Sequence, residues 1–559
     1  MNAAKQVRLG EEDGLLHIIF PYAPALVEWM RTLRGRKWDG AKKEWTSDLE
    51  VEAVKELKAK GFTLCNKLTV MLNDKSSLAQ VVIPQVEVNG MLHPLYPFQE
   101  EGVSFIEFKK GRGLIGDEMG LGKTAQALAW LKLHPELRPA IVVCPHTLKI
   151  NWARETEKWI GEDTEILDGR PNGHQPIGSI LIINYDVLAN LTEKVERNGK
   201  MVREELLGTG WIDHLPKAAI VIFDEAHYIK NAKSGRTKAI KSLCKGVKHV
   251  IALTGTPILN RPIEMYNTLN LLAPNVFGNY WRFAQRYCNP TYNGFGWDFS
   301  GSSNTEELHA LLTRTVMIRR LKKDVLPQLP CKVRSIVPLD ITRLDKEYRA
   351  AEEDFLGWLG GIDPDRMERA AKAESLVRIG ALKRLAAKAK LSQCIEWIED
   401  FLEQGEKLVV FAVHKDVIDT LMKHFGDIAV KVDGSVGMED RQKAVDEFQS
   451  NDKMRLFIGN IKAAGVGLTL TASSNTCFLE LEWSPGLQDQ AEDRVHRIGQ
   501  EADSVTAWYL LAEGTIEMEI ALMLDDKRKT LDKVLDGKDT EDEALLTKLL
   551  TKLKEGRNK

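Results

Sequence analysis

A glycine-rich turn between an apolar run and a helical pattern holds residues suited to phosphate chemistry. Within GLIGDEMGLGKTAQALAWL, the turn contains Gly120, Gly122, Lys123 and Thr124. Glycines let backbone N–H groups close around phosphate oxygens, the lysine adds a cation for β- and γ-phosphates, and the threonine hydroxyl can bind Mg²⁺. The template G-x-x-x-x-G-K-[ST] requires glycine where this chain has Asp117. The strand–turn–helix context still predicts a nucleotide site, and a plain glycine-rich loop is the alternative.

Two acidic residues follow another apolar run, in the segment IFDEAH. Carboxylates at the C-terminal end of a parallel strand can lie beside a phosphate-binding turn. Asp224 could then hold Mg²⁺ through water, and Glu225 could orient or deprotonate an attacking water. His227 has two interpretations, as a structural histidine or as a residue that couples this site to a neighbouring motif.

A third cluster lies in QDQAEDRVHRIGQ, residues 488–500. Helical spacing predicts that Gln490, Asp493, Arg494 and Arg497 share one face. From that face, Arg494 and Arg497 could clamp a γ-phosphate during hydrolysis, and Gln490 is a candidate nucleotide contact. A solvated charged helix would explain the same run of charges.

Apolar runs separated by helical patterns supply the elements that would position these residues. Continuous Val/Ile/Leu runs indicate parallel strands covered on both faces. They occur in two groups, at 113–116, 140–144, 179–184, 219–225 and 249–255, and at 407–412, 455–460, 476–483 and 505–511. The predicted fold class is therefore α/β, with two parallel-sheet domains. Between about 258 and 395 no strand is predicted, and the sequence is helical and highly charged.

The first 70 residues have a different pattern, which predicts a small α+β unit. A strand is predicted at 15–20 and helices at 24–33 and 49–60, with a basic, turn-rich segment at 34–47 between them.

The basic segment has a composition suited to unpaired nucleic acid. RTLRGRKWDGAKKEW holds six Lys/Arg against two acids. Cations can screen phosphates while indoles stack on splayed bases, so Arg34, Arg36, Lys37 and Trp38 are candidate DNA contacts. Alternatively, both tryptophans are core anchors and only the cations face solvent. Trp45 is the better core candidate of the two, because it precedes a predicted helix cap.

The composition excludes several classes of protein. The 559 residues carry 77 Lys+Arg against 80 Asp+Glu, a formal charge of −3, so any nucleic-acid contact must come from local basic patches. No apolar run approaches the roughly 20 residues of a membrane-spanning helix, and the N-terminus lacks a signal-peptide pattern. Seven dispersed cysteines without zinc spacing favour free thiols in a reducing interior.

Taken in order, these elements resemble the motor of the Snf2 family, within superfamily 2 of helicase-like proteins, from about residue 92 to 535. DEMGLGKT is the family's form of the phosphate motif and accounts for Asp117. CPHTLKINWARE, LTGTP and KAAGVGLTLT resemble further motifs in the family's order, and MIRRLKKDVLPQLP, residues 317–330, is similar to the family's linker between the lobes. The resemblance implies two RecA-like lobes with helical insertions, ATP and Mg²⁺ as cofactors, and Gln99 as the adenine contact.

The same resemblance implies DNA-dependent ATP hydrolysis in a cleft between the lobes, with Arg494 and Arg497 brought to the phosphates when the cleft closes. It also implies backbone-directed DNA contacts by Thr147, Lys149, Thr254 and Thr469, which would read no sequence.

Two segments narrow the resemblance to the HARP-type annealing helicases. Residues 286–312 look like the insert in their first lobe, and residues 20–46 resemble a HARP domain. Those enzymes use ATP to re-pair strands at forks and bubbles, which implies branched DNA as the partner. The motif DEAH departs from the DESH often found there.

The expected domain division follows from these matches. The HARP-like unit and a linker precede the first lobe, and a helical insertion separates it from the second lobe and a helical tail. The expected ranges are 1–71, 72–91, 92–275, 276–394, 395–535 and 536–559.

Three functions are open at this point. They are remodelling or re-annealing of branched DNA, displacement of DNA-bound protein with the N-terminal unit as a docking domain, and a binding module without catalysis. The intact catalytic set of Lys123, Asp224, Glu225, Arg494 and Arg497 argues against the last. A bacterial or viral protein would be cytoplasmic and associated with the nucleoid, and a eukaryotic one nuclear.

Overall fold

Three main sheets organise the chain in the computed structural model. The predicted tail at 536–559, Arg34 and part of the predicted linker lie outside the described residues, so expectations placed there stay predictions. The structure describes residues 5–10, 14–30, 33, 35–49, 51–73, 84–197, 200–257, 261–292, 296–299, 301–341, 346–360, 369–465 and 467–524.

The N-terminal unit is a mixed five-stranded sheet with helices, which confirms its predicted α+β character. Leu16 and Ile18 are fully buried while His17 and Ile19 are half-buried, the alternation expected of a strand with one covered face. The strand order is Lys37–Asp39, Glu44–Ser47, Leu16–Ile19, Gln6–Leu9 and Thr63–Leu64, and the helices are Pro24–Met30, Val51–Ala59 and Asn66–Asn73.

The segment predicted as turn-rich forms a hairpin instead. Strands Lys37–Asp39 and Glu44–Ser47 pair antiparallel around a turn in which Asp39 accepts hydrogen bonds from the N–H groups of Ala41 and Lys42. Trp45 lies in the second strand and packs against the core, as predicted, but the predicted helix cap after it is wrong.

Seven parallel strands form the sheet of the first lobe. Its central strands are buried at every position, because helices cover both faces. The strand order is Met317–Ile318, Arg112–Ile115, His249–Leu253, Ile220–Phe223, Ala140–Cys144, Ile180–Asn184 and Glu165–Leu167. The α-helices are Pro97–Phe108, Lys123–Leu133, Lys149–Ile160, Tyr185–Leu188, Gly235–Leu243, Tyr266–Leu272, Tyr280–Tyr287 and Thr305–Thr315. Two hairpins accompany this lobe, Leu191–Arg197 with Lys200–Leu206 and Thr291–Tyr292 with Trp297–Asp298.

Six parallel strands form the sheet of the second lobe, so the predicted pair of parallel-sheet α/β domains is confirmed. The strand order is Cys331–Leu339, Ser504–Ala512, Asn475–Phe478, Leu408–Ala412, Leu456–Asn460 and Ala429–Val432. Its helices, with the short one that precedes them, are Lys322–Val325, Lys346–Gly360, Arg369–Glu403, Lys415–Phe425, Met438–Ser450, Ile461–Ala464 and Pro485–Glu492. Among the described residues, none of the helices combines the length and apolar character needed to span a bilayer.

The prediction that strands are absent between 258 and 395 is wrong. Met317–Ile318 is the edge strand of the first sheet, and Cys331–Leu339 pairs in parallel with Ser504–Ala512 at the edge of the second. Cys331–Leu339 is mostly exposed or half-buried, so it lacks the continuous apolar run that marks a central strand. The domain boundaries themselves stay a prediction.

Candidate functional site

The glycine-rich turn, residues 116–122, connects strand Arg112–Ile115 to helix Lys123–Leu133, and we call it the phosphate turn. Gly120 and Gly122 adopt left-handed φ values of 82° and 72°, which favour glycine. Lys123 begins the helix, and its Nζ donates to the carbonyl oxygens of Asp117 at 2.9 Å and Glu118 at 3.2 Å. Burial lowers the pKa of Lys123 despite opposition from nearby carboxylates. Thr124 follows at the second helical position.

Gln99 lies against this turn from the preceding helix. Its Oε1 accepts from the Tyr96 N–H at 3.0 Å, and its Nε2 donates to the Leu121 carbonyl at 3.2 Å. A Cβ on Gly122 would come within 2.3 Å of Gln99 Nε2, so the two residues pack in direct contact. Gln99 therefore supports the turn, and its predicted contact with adenine stays a prediction.

Asp117, the departure from the phosphate-binding template, has a structural reason. Its buried carboxylate forms an ion pair with Arg320, whose Nε donates at 3.0 Å and whose backbone N–H donates at 3.1 Å. Gln126 Nε2 donates to the other carboxylate oxygen at 2.9 Å. An aspartate at 117 thus ties the phosphate turn to the segment that leads into the second lobe.

The acidic pair follows strand Ile220–Phe223, as predicted. Asp224 Oδ2 accepts from Trp152 Nε1 at 3.0 Å, and Oδ1 accepts from the Glu225 N–H at 2.8 Å. Burial, followed by the charge of Glu225, raises the pKa of Asp224 to about 6. Burial also raises the pKa of Glu225, but His227 and the cations around it outweigh that effect, so its net shift is downward.

The surroundings of the acidic pair suit a divalent cation and a water. Glu225 Oε2 is buried and, within the described part of the chain, accepts no hydrogen bond, although His227 Nδ1 lies 3.3 Å away. Glu225 also holds a left-handed φ of 51°, uncommon for a residue with a side chain. Two buried carboxylates facing Lys123 form an oxygen-rich donor set of the kind Mg²⁺ prefers.

Two arginines of the second lobe reach the phosphate turn of the first. Arg494 Nη2 lies 3.7 Å from Met119 Sδ, and a Cβ on Gly120 would come within 2.8 Å of Arg497 Cβ. Both guanidinium groups donate to the carbonyl oxygen of Leu468, at 3.2 and 3.1 Å. Burial, then the charge of Arg497, lowers the pKa of Arg494 to about 10.

The predicted single helical face is wrong in detail. Helix Pro485–Glu492 ends before Asp493, and Arg494 and Arg497 lie in the turns that follow. Gln490 remains helical, and its Nε2 donates to Thr256 Oγ1 of the first lobe at 3.0 Å. All four residues still contact the first lobe or the segment that leads from it, at Thr256, Lys322, Met119 and Gly120.

Lys322, to which the sequence motifs assign no role, joins the two lobes beside the phosphate turn. The backbone N–H of Lys322 donates to Glu118 Oε2 at 2.7 Å, beside the phosphate turn. Its buried Nζ donates to the His496 carbonyl at 2.6 Å and lies 3.0 Å from Asp493 Oδ1. Arg320 and Lys322 both belong to RRLKKD, residues 319–324. The density of cations next to a lobe boundary was the sequence signal that could have marked them as functional.

The predicted DNA contacts of the motor are placed unevenly. Lys149 is fully buried, and its Nζ donates to Asp168 Oδ1 at 2.7 Å. Thr254 is also buried, and Thr469 Oγ1 accepts from Arg497 at 2.8 Å, so Thr469 lies beside an arginine of the cleft. Thr147 is half-buried, in a 3₁₀ turn at the start of helix Lys149–Ile160.

The predicted DNA contacts of the N-terminal unit lie at its surface. Arg36 and Lys37 are exposed, and Trp38 is 49% exposed beside Trp45, with ring centroids 5.3 Å apart.

Two parallel-sheet lobes meet at one cleft. The first supplies the phosphate turn and the acidic pair, and the second supplies the facing arginines. This arrangement defines a P-loop protein of the RecA-like, two-lobed class. A family profile described as the SNF2-related domain matches residues 22–378, and one described as the helicase conserved C-terminal domain matches residues 389–499. The chain belongs to the SNF2-related family, which confirms the resemblance drawn from the motifs.

Several curated proteins are similar to the chain. One is the SWI/SNF-related matrix-associated actin-dependent regulator of chromatin subfamily A-like protein 1 of Xenopus laevis, 35% identical over 82% of this chain and 46% of that protein. Its Caenorhabditis elegans homolog is 31% identical over 96% of this chain and 76% of that protein. The DNA annealing helicase and endonuclease ZRANB3 of Mus musculus is 35% identical over 79% of this chain and 41% of that protein. The chain thus spans about half the length of most of these relatives.

Proposed function

We propose that the chain hydrolyses ATP to move on DNA and to remodel or re-anneal branched DNA. The observation that carries the proposal is the contact of Arg494 and Arg497 with the phosphate turn, whose carbonyl oxygens also accept from Lys123 Nζ. Charges from facing lobes that meet at one turn are suited to stabilising a transferring phosphoryl group, and they link hydrolysis to relative movement of the lobes.

The residues have distinct roles in this proposal. Lys123 binds the β- and γ-phosphates, and Glu225, whose pKa is lowered, is ionised at neutral pH and can accept a proton from the attacking water. Thr124 and Asp224 would hold Mg²⁺, which neutralises phosphate charge when bound. Arg494 and Arg497 stabilise charge that develops on the γ-phosphate.

Lys123→Ala tests the nucleotide site. We expect it to abolish ATP turnover while leaving DNA affinity within about twofold, because the ammonium lies inside the phosphate turn. The matched control is Lys132→Ala in the last turn of the same helix, whose Nζ donates to the Ile160 carbonyl and which should retain turnover. Steady-state phosphate release gives the answer, and persistent activity in Lys123→Ala would refute the site.

The branched-DNA part of the proposal has separate support. The similar proteins include one named as a DNA annealing helicase, and Arg36, Lys37 and Trp38 form an exposed cationic and aromatic group on the N-terminal unit. Such a group can bind unpaired strands at a junction. On this proposal the protein works where DNA is, in the nucleus of a eukaryote or at the nucleoid of a bacterium.

ATP turnover should be measured without DNA and with single-stranded, blunt duplex and forked DNA, for the full chain and for a variant with alanine at Arg36, Lys37 and Trp38. Fork stimulation that exceeds duplex stimulation and falls to the duplex level in the variant supports the proposal. Equal responses to fork and duplex in both proteins would favour displacement of DNA-bound protein, and failure to re-anneal a naked bubble would favour it too.

A further inference from the structure

An exposed group of aromatic side chains lies on the first lobe, and none of its members belongs to the candidate nucleotide site. It consists of Trp281, Tyr292 and Trp297, with Phe299 beneath them. Trp281 and Trp297 are each 50% exposed and Tyr292 is 62% exposed. Trp281 comes from helix Tyr280–Tyr287, and the other two exposed rings come from the hairpin that follows it. We call these four residues the aromatic group.

The rings of the aromatic group contact one another edge to face. The centroids of Trp281 and Trp297 are 6.5 Å apart, those of Tyr292 and Trp297 are 5.5 Å apart, and Phe299 supports Trp281 at 5.5 Å. The same helix already supplies the core through Phe283 and Tyr287, both buried. Three large exposed rings in contact exceed what the core needs and mark a binding surface.

The aromatic group lies beside the basic part of the N-terminal unit. Arg282, the residue after Trp281, forms an ion pair with Asp48. Asp48 in turn touches the loop at Gly35, because a Cβ on that glycine would lie 1.8 Å from Asp48 Oδ1. These contacts therefore join the helix that carries Trp281 to the segment that carries Arg36 and Lys37.

The charges around this junction favour a polyanion. The hairpin beyond Gly35 exposes Lys37, Lys42 and Lys43. Of its two acids, Asp39 accepts from N–H groups of its own turn, and the buried Glu44 pairs with Arg8 and His17. On the side of the aromatic group, Glu307 forms an ion pair with Arg286 and accepts a hydrogen bond from the Tyr287 hydroxyl. Asp298 is the acid in the hairpin that carries Tyr292 and Trp297.

We propose that the aromatic group and this cationic hairpin together form a site for unpaired DNA, in which the indoles of Trp281 and Trp297 stack on bases and the lysines neutralise phosphates. Stacking on a ring is tolerant of sequence because every base has a flat face. The inference deepens the proposed function, on which it rests, by placing the single strand of a junction on both the first lobe and the N-terminal unit. The Arg282–Asp48 pair then keeps the two parts in register.

The test compares two oligonucleotides with the same number of phosphates, oligo(dT) and its abasic counterpart, by fluorescence anisotropy at fixed salt. Wild-type protein should bind oligo(dT) more tightly, because only that strand offers bases. The double variant Trp281→Leu/Trp297→Leu should bind oligo(dT) about tenfold more weakly and the abasic strand within twofold of wild type. Trp281→Phe/Trp297→Phe should keep most of the preference for bases.

Ile177→Ala, which removes a 94% exposed apolar side chain from the same lobe, is the matched control and should bind both strands as wild type does. If the leucine variant melts at a lower temperature, wild-type protein cross-linked to a 5-iodouracil oligonucleotide gives the decision. Adducts on Trp281, Tyr292 or Trp297 support the site, and adducts confined to other residues overturn it.

Equal affinity of the wild type and the well-folded leucine variant for oligo(dT) would also overturn the site and would favour a protein as the occupant of the aromatic group. Failure of this inference is distinct from failure of the motor. Stimulation of wild-type ATP turnover by blunt duplex tests the motor, and it involves no unpaired base.

Discussion

Asp117 and Arg320 form a buried ion pair whose partners are far apart in the chain, and it can be tested residue by residue. Breaking a buried pair leaves an uncompensated charge, at a cost of about 3 kcal/mol. We expect Asp117→Asn and Arg320→Gln each to lower the free energy of unfolding by about that amount, and the double variant to lose less than the sum. Urea titrations give the free energies.

The control for this cycle is an exposed pair, Lys443 and Asp440, 3.1 Å apart and about three-quarters exposed on both sides. Asp440→Asn should change stability by less than about 1 kcal/mol. Additive effects at 117 and 320 would contradict the coupling.

Gly120 lies where Arg497 of the second lobe approaches the phosphate turn, so one methyl group added there tests the contact. Gly120→Ala places a Cβ against Arg497, whereas Gly173→Ala, at the same φ of 82°, meets no atom within 4 Å. Both variants should lose about 1 kcal/mol of stability from backbone strain. Only Gly120→Ala should lower kcat, on the order of tenfold to a hundredfold, because Arg497 is displaced. Similar kcat values in the two variants would refute a role for this contact.

The sequence locates the residues of the candidate nucleotide site because their pattern is local. Lys123 is recognised by the glycines before it, and Asp224 and Glu225 by the apolar strand that ends beside them. Arg320 and Lys322 could not be found in this way, since their partners lie in other motifs and nothing in their neighbours specifies which cation turns inward.

Among the elements, Glu480 connects strand Asn475–Phe478 to the start of helix Lys415–Phe425. Its Oε2 accepts from the N–H groups of Val413 and His414 at 2.7 and 2.8 Å, and its Oε1 pairs with His414 Nδ1. The hydrogen bond with Glu480 raises the pKa of His414 despite partial burial. An anion held at a helix N-terminus is also favoured by the helix dipole.

This pair predicts a pH dependence of stability. A raised pKa means that the protonated His414 contributes stability fully below its unfolded pKa of about 6.5, and that the contribution is lost as pH rises through the folded pKa. The melting temperature of the wild type should therefore fall more steeply between pH 6 and 9 than that of His414→Asn, whose amide donates at every pH. Parallel curves in differential scanning calorimetry would refute the linkage.

The strands of both sheets were predictable where they are central. Ala140–Cys144 matches its apolar run residue for residue, and most other central strands differ by one or two residues. Cys331–Leu339 was not predictable in this way, because one side of an edge strand faces solvent and its sequence mixes charge, serine and proline with the apolar positions. Nor could spacing reveal that the helix before Arg494 ends at Glu492.

For the whole molecule, Lys322 is one of the residues that join the two lobes. Lys322→Ala removes the buried contacts with Asp493 and His496. The control is Lys323→Ala, which changes the exposed neighbouring lysine. We expect Lys322→Ala to lower DNA-stimulated turnover on the order of tenfold, because the arginines lose their fixed position over the phosphate turn. Lys323→Ala should match wild type, and equal turnover in the two variants would contradict the role.

The parallel pairing of Cys331–Leu339 with Ser504–Ala512 also affects how the chain is made. About 170 residues separate the paired positions, and at 5–20 residues per second a ribosome needs roughly 9–35 s to supply them. For that time the first lobe can be complete while the earlier strand waits without its neighbour. The nascent second lobe is then open to wrong pairing, so we expect help from chaperones to matter during translation rather than after it.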